Sequence, residues 1–162
     1  MSGPTMATAY DTQLASAVTF RAGPQRYALP IERVREIQKI VAFAEVPDEN
    51  GTVLGMVDIR GEIVPVVDVR TLIGLPLELH TLETPMIVVR SSVGPVALIV
   101  DAVETVVELP AGLAGAAPEM HSLASRVLAV HRLDDELVFL LDIDALLEPV
   151  DLPDEGRPAA DE

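Results

Sequence analysis

Residues 55–70 read GMVDIRGEIVPVVDVR, and this stretch decides the fold. Gly55 and Gly61 bracket Arg60, and an apolar run then extends from Ile63 to Val67, interrupted only by Pro65 and closed by Asp68. The run is too short for a helix and rich in β-branched residues, so it reads as a buried strand. A proline cannot donate to a strand ladder, which places Pro65 at an edge or a bulge. Arg60 falls on the turn before the strand, where a rigid scaffold can hold a long cationic side chain toward a partner. The competing reading is a plain β-turn carrying a solvated arginine, and the local pattern fits both.

The chain also repeats itself. Residues 17–37, AVTFRAGPQRYALPIERVREI, lie residue for residue on 86–106, MIVVRSSVGPVALIVDAVETV. Arg21 then meets Arg90, Ala28 meets Ala97, Leu29 meets Leu98 and Val34 meets Val103. Residues 63–73, IVPVVDVRTLI, fall likewise on 137–147, LVFLLDIDALL, with Asp68 on Asp142 and Leu72 on Leu146. Each unit opens with a hairpin and closes with an apolar strand, an aspartate and a short apolar helix. The aspartate is placed to N-cap that helix by accepting from its free backbone N–H groups. A unit this long, occurring twice, is no solenoid. It reads as one of two similar small β subdomains.

Composition narrows the class. The chain has 162 residues, 49% apolar but only 3% aromatic, so its core has to be built from Val, Leu, Ile and Ala. That length suits one domain or two small halves sharing a core. The absence of cysteine removes disulfides, thiolate catalysis and Cys-based zinc sites. Uninterrupted apolar stretches such as Val96–Val100 fall far short of the roughly 18 residues that span a bilayer. The opening MSGPTMATAYDTQ has no basic segment followed by an apolar one, so no secretory signal is visible and a soluble cytoplasmic protein is expected. The net charge of −15 is uneven. Residues 1–75 hold seven Lys/Arg against nine Asp/Glu, and 76–162 hold four against seventeen. Such a field repels phosphate backbones and anionic membrane surfaces.

Along the chain, Ser16–Ala22 alternates as a strand, Gly23-Pro24 turns it, and Arg26–Leu29 returns. Pro30 suits the first turn of a helix over IERVREIQKI, with Ile31, Val34 and Ile37 on one face. Gly74 suits a helix C-cap, and Pro76–Pro85 links the halves. In the second half, strands are expected near 86–91 and 95–100, with Asp101–Leu109 as strand or helix. The stretch 111–125 reads as a loop, followed by strands near 126–132 and 136–141 and a short helix over Asp142–Leu147. Many short strands with regular turn signals point to all-β barrels.

Catalytic constellations find little support. His80, His121 and His131 lie in separate segments without metal-ligand spacing. Ser122 and Ser125 near His121 lack the strand–turn–helix elbow that presents a nucleophile. Asp134-Asp135-Glu136 reads as a solvated turn, and neither Gly55 nor Gly61 leads into a helix as a phosphate loop does. The profile is that of a binding module.

The segment 55–70 resembles the signature of the CheW family, the adaptor of bacterial chemotaxis, written around GVxNLRGxxxPVxDLR. The resemblance continues in order through RYALPIERVREI at 26–37, VGPVALIVDAVETV at 93–106 and LVFLLDIDALL at 137–147, covering about residues 14–149. It implies a mainly β fold of two SH3-like five-stranded barrels packed around a shared core, with short helices. The first barrel spans about 17–75 and the second about 86–147, with room for some strand exchange between them; residues 1–13 and the acidic 150–162 become disordered tails. It implies no catalysis and no cofactor. Its partners are the cytoplasmic helical hairpin of methyl-accepting receptors and the regulatory domain of the histidine kinase CheA, met at receptor arrays on the inner face of the membrane. The receptor helices dock in an apolar groove. Carried over by motif, that groove involves Val34, Glu36 and Ile37 from the first half and Val103 and Val106 from the second, with Arg60 and Gly61 as the motif's own turn. This is helix-in-groove recognition, apolar anchors supplying burial and a charge fixing orientation. Ordinary core packing is the competing reading for Val34, Ile37, Val103 and Val106, and exposure decides it.

Two departures from the family pattern stand out. Asp58 replaces the family's Asn and adds a negative charge two residues from Arg60. The family's PGxP turn and following aromatic are replaced by Pro47, Asp48, Asn50 and Thr52, which predicts looser packing beneath that loop. Two rival functions remain: a CheW-like scaffold for a different kinase pathway (pilus motility or second-messenger control), and a small-barrel ligand or nucleic-acid binder. The latter requires a basic or aromatic-lined groove that this sequence does not supply.

Overall fold

Gly23, at φ 63°, turns strand β1 (Leu14–Ala22) back into β2 (Gln25–Pro30). The same hairpin recurs as β7 (Pro85–Ser91) and β8 (Gly94–Ile99). A further strand follows each, β3 (Val34–Lys39) after the first and β9 (Ala102–Pro110) after the second. A second hairpin closes each unit: β5 (Val53–Ile59) with β6 (Glu62–Asp68), and β10 (Val127–Leu133) with β11 (Glu136–Leu141). Helices α1 (Val69–Leu72) and α2 (Ile143–Leu147) end the units, and the two-residue β4 (Ala44–Glu45) edges β5. The computed structural model describes residues 14–40, 44–45, 52–110 and 124–152. The fold is mainly β.

The two units trade hairpins. One sheet has the order β10-β11-β2-β1-β9 and the other β3-β7-β8-β6-β5-β4, so each contains one hairpin from the opposite half. The joints are the two parallel pairings, β11 on β2 through Phe139 opposite Tyr27, and β6 on β8 through Val67 opposite Leu98. The six-stranded sheet also curls. Arg35 on β3 reaches Glu62 on β6 at 2.8 Å, although β7 and β8 lie between them and a flat sheet would separate the two strands by about 14 Å.

Local chemistry set the helix starts as expected. Asp68 Oδ1 accepts from the Arg70 N–H at 2.9 Å, and Asp142 Oδ1 from the Ala145 N–H at 3.3 Å. Gly74, at φ 81°, lies just past the end of α1. The stretch expected as strand or helix over Asp101–Leu109 is the strand β9.

Three expectations need correction. The helix over 31–40 is only a 3-10 turn, Ile31–Arg33, after which the chain runs extended against β7. A register shift between Val34 and Glu36 breaks the period-2 pattern of β3, so a bulged strand mimics helical spacing. Pro65 lies not at an edge but inside the sheet, between β5 and β8. It is tolerated because its pair with Met56 adjoins the hydrogen-bonded Val57–Val64 pair and is therefore of the non-hydrogen-bonded kind toward β5, and because the β8 ladder begins only at Val66. The register shift on β5, between Val53 and Gly55, lies opposite Val66 and Val67, just past Pro65. Finally, the chain is still packed beyond residue 149: Val150 is buried and Leu152 packs against the same cluster. Residues 1–13, 111–123 and 153–162 lie outside the described residues, as do Pro47, Asp48 and Asn50.

The largest core cluster is shared by both units. It joins Phe20, Tyr27 and Leu29 to Leu98, Phe139 and Leu146, among others. Phe20 stacks on Tyr27 at 5.6 Å, and Tyr27 meets Phe139 edge-on at 6.0 Å, so the described aromatic side chains all sit where the two units meet. Two smaller clusters accompany it, one built around the six-stranded sheet and one around the five-stranded sheet. The first contains Met86, Val88 and Val57; the matching positions of the repeat hold Ala17, Thr19 and His131. The smaller residues accompany a cavity of about 340 Å³ lined by Ala15, Ala17, Leu109, Leu128 and Leu140.

Polar staples also cross between the halves. Arg70 of α1 is buried and donates to both carboxylate oxygens of Asp101, at 2.9 and 2.7 Å. Asp101 accepts in turn from the Gly23 N–H at 2.7 Å. The Arg70 guanidinium, followed by the Gly23 N–H, holds the Asp101 carboxyl below its ordinary range against the opposing effect of burial.

Candidate interaction site

The motif turn is a two-residue hairpin loop closed by the Ile59–Glu62 pair. Arg60 and Gly61 both have positive φ, 55° and 87°, the requirement of the type I′ turn that matches strand twist. Gly61 pays no Cβ penalty there, and the space around its Cα is open. Arg60 does pay one, about 1–2 kcal/mol for an ordinary L-residue in this region. Asp58 offsets it: its Oδ1 accepts from the Gly61 N–H at 2.7 Å. An Asn side chain presents the same carbonyl acceptor, so the departure from the family residue keeps this bond and adds only charge.

From that turn Arg60 extends into solvent, 75% exposed, while the Glu36 carboxylate it meets is 19% exposed. Arg60 Nε lies 3.3 Å from both Glu36 oxygens. Arg35 lies beside them, 3.9 Å from Glu36 and 2.8 Å from Glu62. Charges thus alternate Glu62, Arg35, Glu36, Arg60 from the hairpin to edge strand β3 and back. The fold brings Glu36, Arg60 and Gly61 together although they are distant in sequence.

The four apolar candidates divide in a way that follows the repeat. Val34 and Val103, at matching positions, are both half-buried against the shared core. Ile37 and Val106 match each other too, and are exposed by 44% and 56%. Val34 and Ile37 lie on β3, the end strand of the six-stranded sheet, and Val103 and Val106 on β9, the end strand of the five-stranded one. Core packing therefore accounts for Val34 and Val103, and leaves Ile37 and Val106 as apolar side chains on open edges.

Asp58, Arg35 and Glu62 were missed as contributors. For Asp58 a signal was present, since an aspartate three residues before a turn glycine is an Asx-type arrangement. For Arg35 and Glu62 there was none, because their meeting depends on the curl of the sheet. The histidines stand apart from this surface. His80 Nε2 lies 2.7 Å from Asp68 Oδ2, and His131 is buried, with burial pressing its imidazole below the ordinary value. His121 and Ser122 lie outside the described residues. Among the described residues no His, Asp and Glu group is arranged to hold a metal ion, and no helix is long and apolar enough to cross a membrane.

A pair of sheets that exchange hairpins, with an arginine turn beside their edge strands, has the form of a binding module. The chain belongs to the CheW-like domain family, whose model matches residues 16–150. It is similar to the chemotaxis protein CheW of Rhizobium meliloti (strain 1021), 28% identical over 145 residues covering 88% of this chain and 90% of that one. It is also similar to the chemotaxis protein CheW of Klebsiella aerogenes, 30% identical over 133 residues covering 79% and 78%. Among solved structures, the scaffolding protein TtCheW from Thermoanaerobacter tengcongensis shares the fold, with a TM-score of 0.75, 24% identity, and coverage of 83% of this chain and 88% of that one.

Proposed function

We propose that this chain is a non-catalytic adaptor of chemotaxis signalling that couples methyl-accepting receptors to the histidine kinase CheA. On this reading the functional unit spans about residues 14–152 and works in the cytoplasm at receptor arrays. A receptor helical hairpin lies along the edges that carry Ile37 and Val106, with Arg60 and Glu36 fixing its orientation and Gly61 keeping the turn open to it. The kinase's regulatory domain docks elsewhere. Family membership supports the adaptor role. One observation carries the placement: a non-glycine cation is kept at positive φ on an exposed turn, a cost that folding alone gives no reason to bear.

Capture from native lysate tests the reading, with this protein and its Arg60→Ala variant as baits and mass spectrometry as readout. The adaptor reading predicts that the wild type recovers a chemoreceptor and a CheA-type kinase, and that the variant loses the receptor. Recovery of neither by the wild type would overturn it.

A further inference from the structure

The two closing hairpins turn in the same way with different residues. Asp134 and Asp135 occupy the β10–β11 turn at φ 54° and 64°, and aspartate tolerates this region because its short carboxylate can bond locally. Arginine has no such means. At the position two before each turn, the first hairpin has Asp58 and the second has Arg132. An acceptor thus stands beside the turn whose first residue is ill-suited to it, and that acceptor takes the Gly61 N–H at 2.7 Å.

We infer that Asp58 is a positioning residue for Arg60: by holding the Gly61 N–H it locks the turn in the one geometry that sends the Arg60 side chain toward Glu36 and a docked partner. Asp58 itself need not touch that partner. The inference rests on the adaptor reading and deepens it. Without the clasp the turn samples other shapes, and Arg60 loses the fixed origin from which it meets Glu36. The required property is a carbonyl-type acceptor at this position and not its negative charge.

A double-mutant cycle tests it, titrating purified protein against the cytoplasmic hairpin fragment of a methyl-accepting receptor from the same organism. Thermal melts of every variant establish that each is folded. Asp58→Asn should bind within about twofold of wild type, Asp58→Ala about fivefold or more weakly, and Asp58→Ala should add nothing in an Arg60→Ala background. Asp58→Ala binding as wild type, or weakening binding equally in both backgrounds, overturns the inference while the adaptor reading stands. Binding by the wild type that Arg60→Ala leaves unchanged overturns the role of Arg60 itself.

Discussion

Arg60 is held where its backbone is least comfortable, so the proposed role sets stability against binding at a single position. Arg60→Asn would place Asn-Gly in the turn, the pair best suited to type I′ geometry. It should raise stability by about 1 kcal/mol, read from denaturant midpoints, while partner affinity falls. Arg60→Ala should leave stability within about 1 kcal/mol and weaken partner binding by about 2 kcal/mol. His131 is a residue-scale liability of a different kind. It is buried where the repeat has Val57, and its Nε2 has no hydrogen-bond partner among the described residues. Burial lowers its pKa from 6.5, so in mildly acid solution the unfolded chain binds a proton that the folded one resists. Stability is then complete above about pH 6.5 and declines as pH falls through the folded value. His131→Val should flatten that decline in melts recorded between about pH 7 and 5.

At the scale of elements, the readable features were those specified by neighbours in sequence. The hairpins followed from alternation broken at Gly23-Pro24 and Arg60-Gly61, and the helix starts from Asp68 and Asp142. The β3 strand was misread because Ile31, Val34 and Ile37 fall three apart, a spacing that a 3-10 turn running into a bulged edge strand reproduces. Pro65 was misplaced because only the pairing register shows that its missing N–H faces unladdered chain. The two caps should differ in weight. Asp68 is buried and meets both the Arg70 N–H and His80, whereas Asp142 is half-buried with a longer capping bond. Asp142→Ala should cost about 1 kcal/mol and Asp68→Ala about 2 kcal/mol or more, measured by chemical denaturation. Equal losses would contradict this ranking.

For the whole molecule, the hairpin exchange is the property sequence could suggest only as a possibility. The parallel joints β6–β8 and β11–β2 link residues that no local pattern connects, and so does the Arg70–Asp101 pair. The family motif named the candidate residues, but their division into core-packed Val34 and Val103 and exposed Ile37 and Val106 required the fold. Because each sheet needs a hairpin from the other half, fragments 1–80 and 81–162 should each lack a cooperative melt and recover one when mixed, as followed by circular dichroism. A cooperative transition in either fragment alone would mean that the exchange does not govern stability.

Acid should undo the molecule as a unit. Arg70 holds Asp101 below the ordinary carboxylate range, Arg21 does the same for Glu136, and the Ser92 N–H with Arg33 does so for Asp144. The stability these groups contribute is present above about pH 4 and lost as pH falls through their folded values. The central claim, that this chain bridges a receptor held by the Arg60 face to a kinase docked elsewhere, is tested most directly by co-sedimentation. Receptor signalling fragments assembled on vesicles are mixed with CheA, and the kinase in the pellet is measured with no adaptor, with wild type, and with Arg60→Ala. The account predicts kinase in the pellet with the wild type and little with either alternative. Equal recruitment by wild type and variant, or none by the wild type, would contradict it.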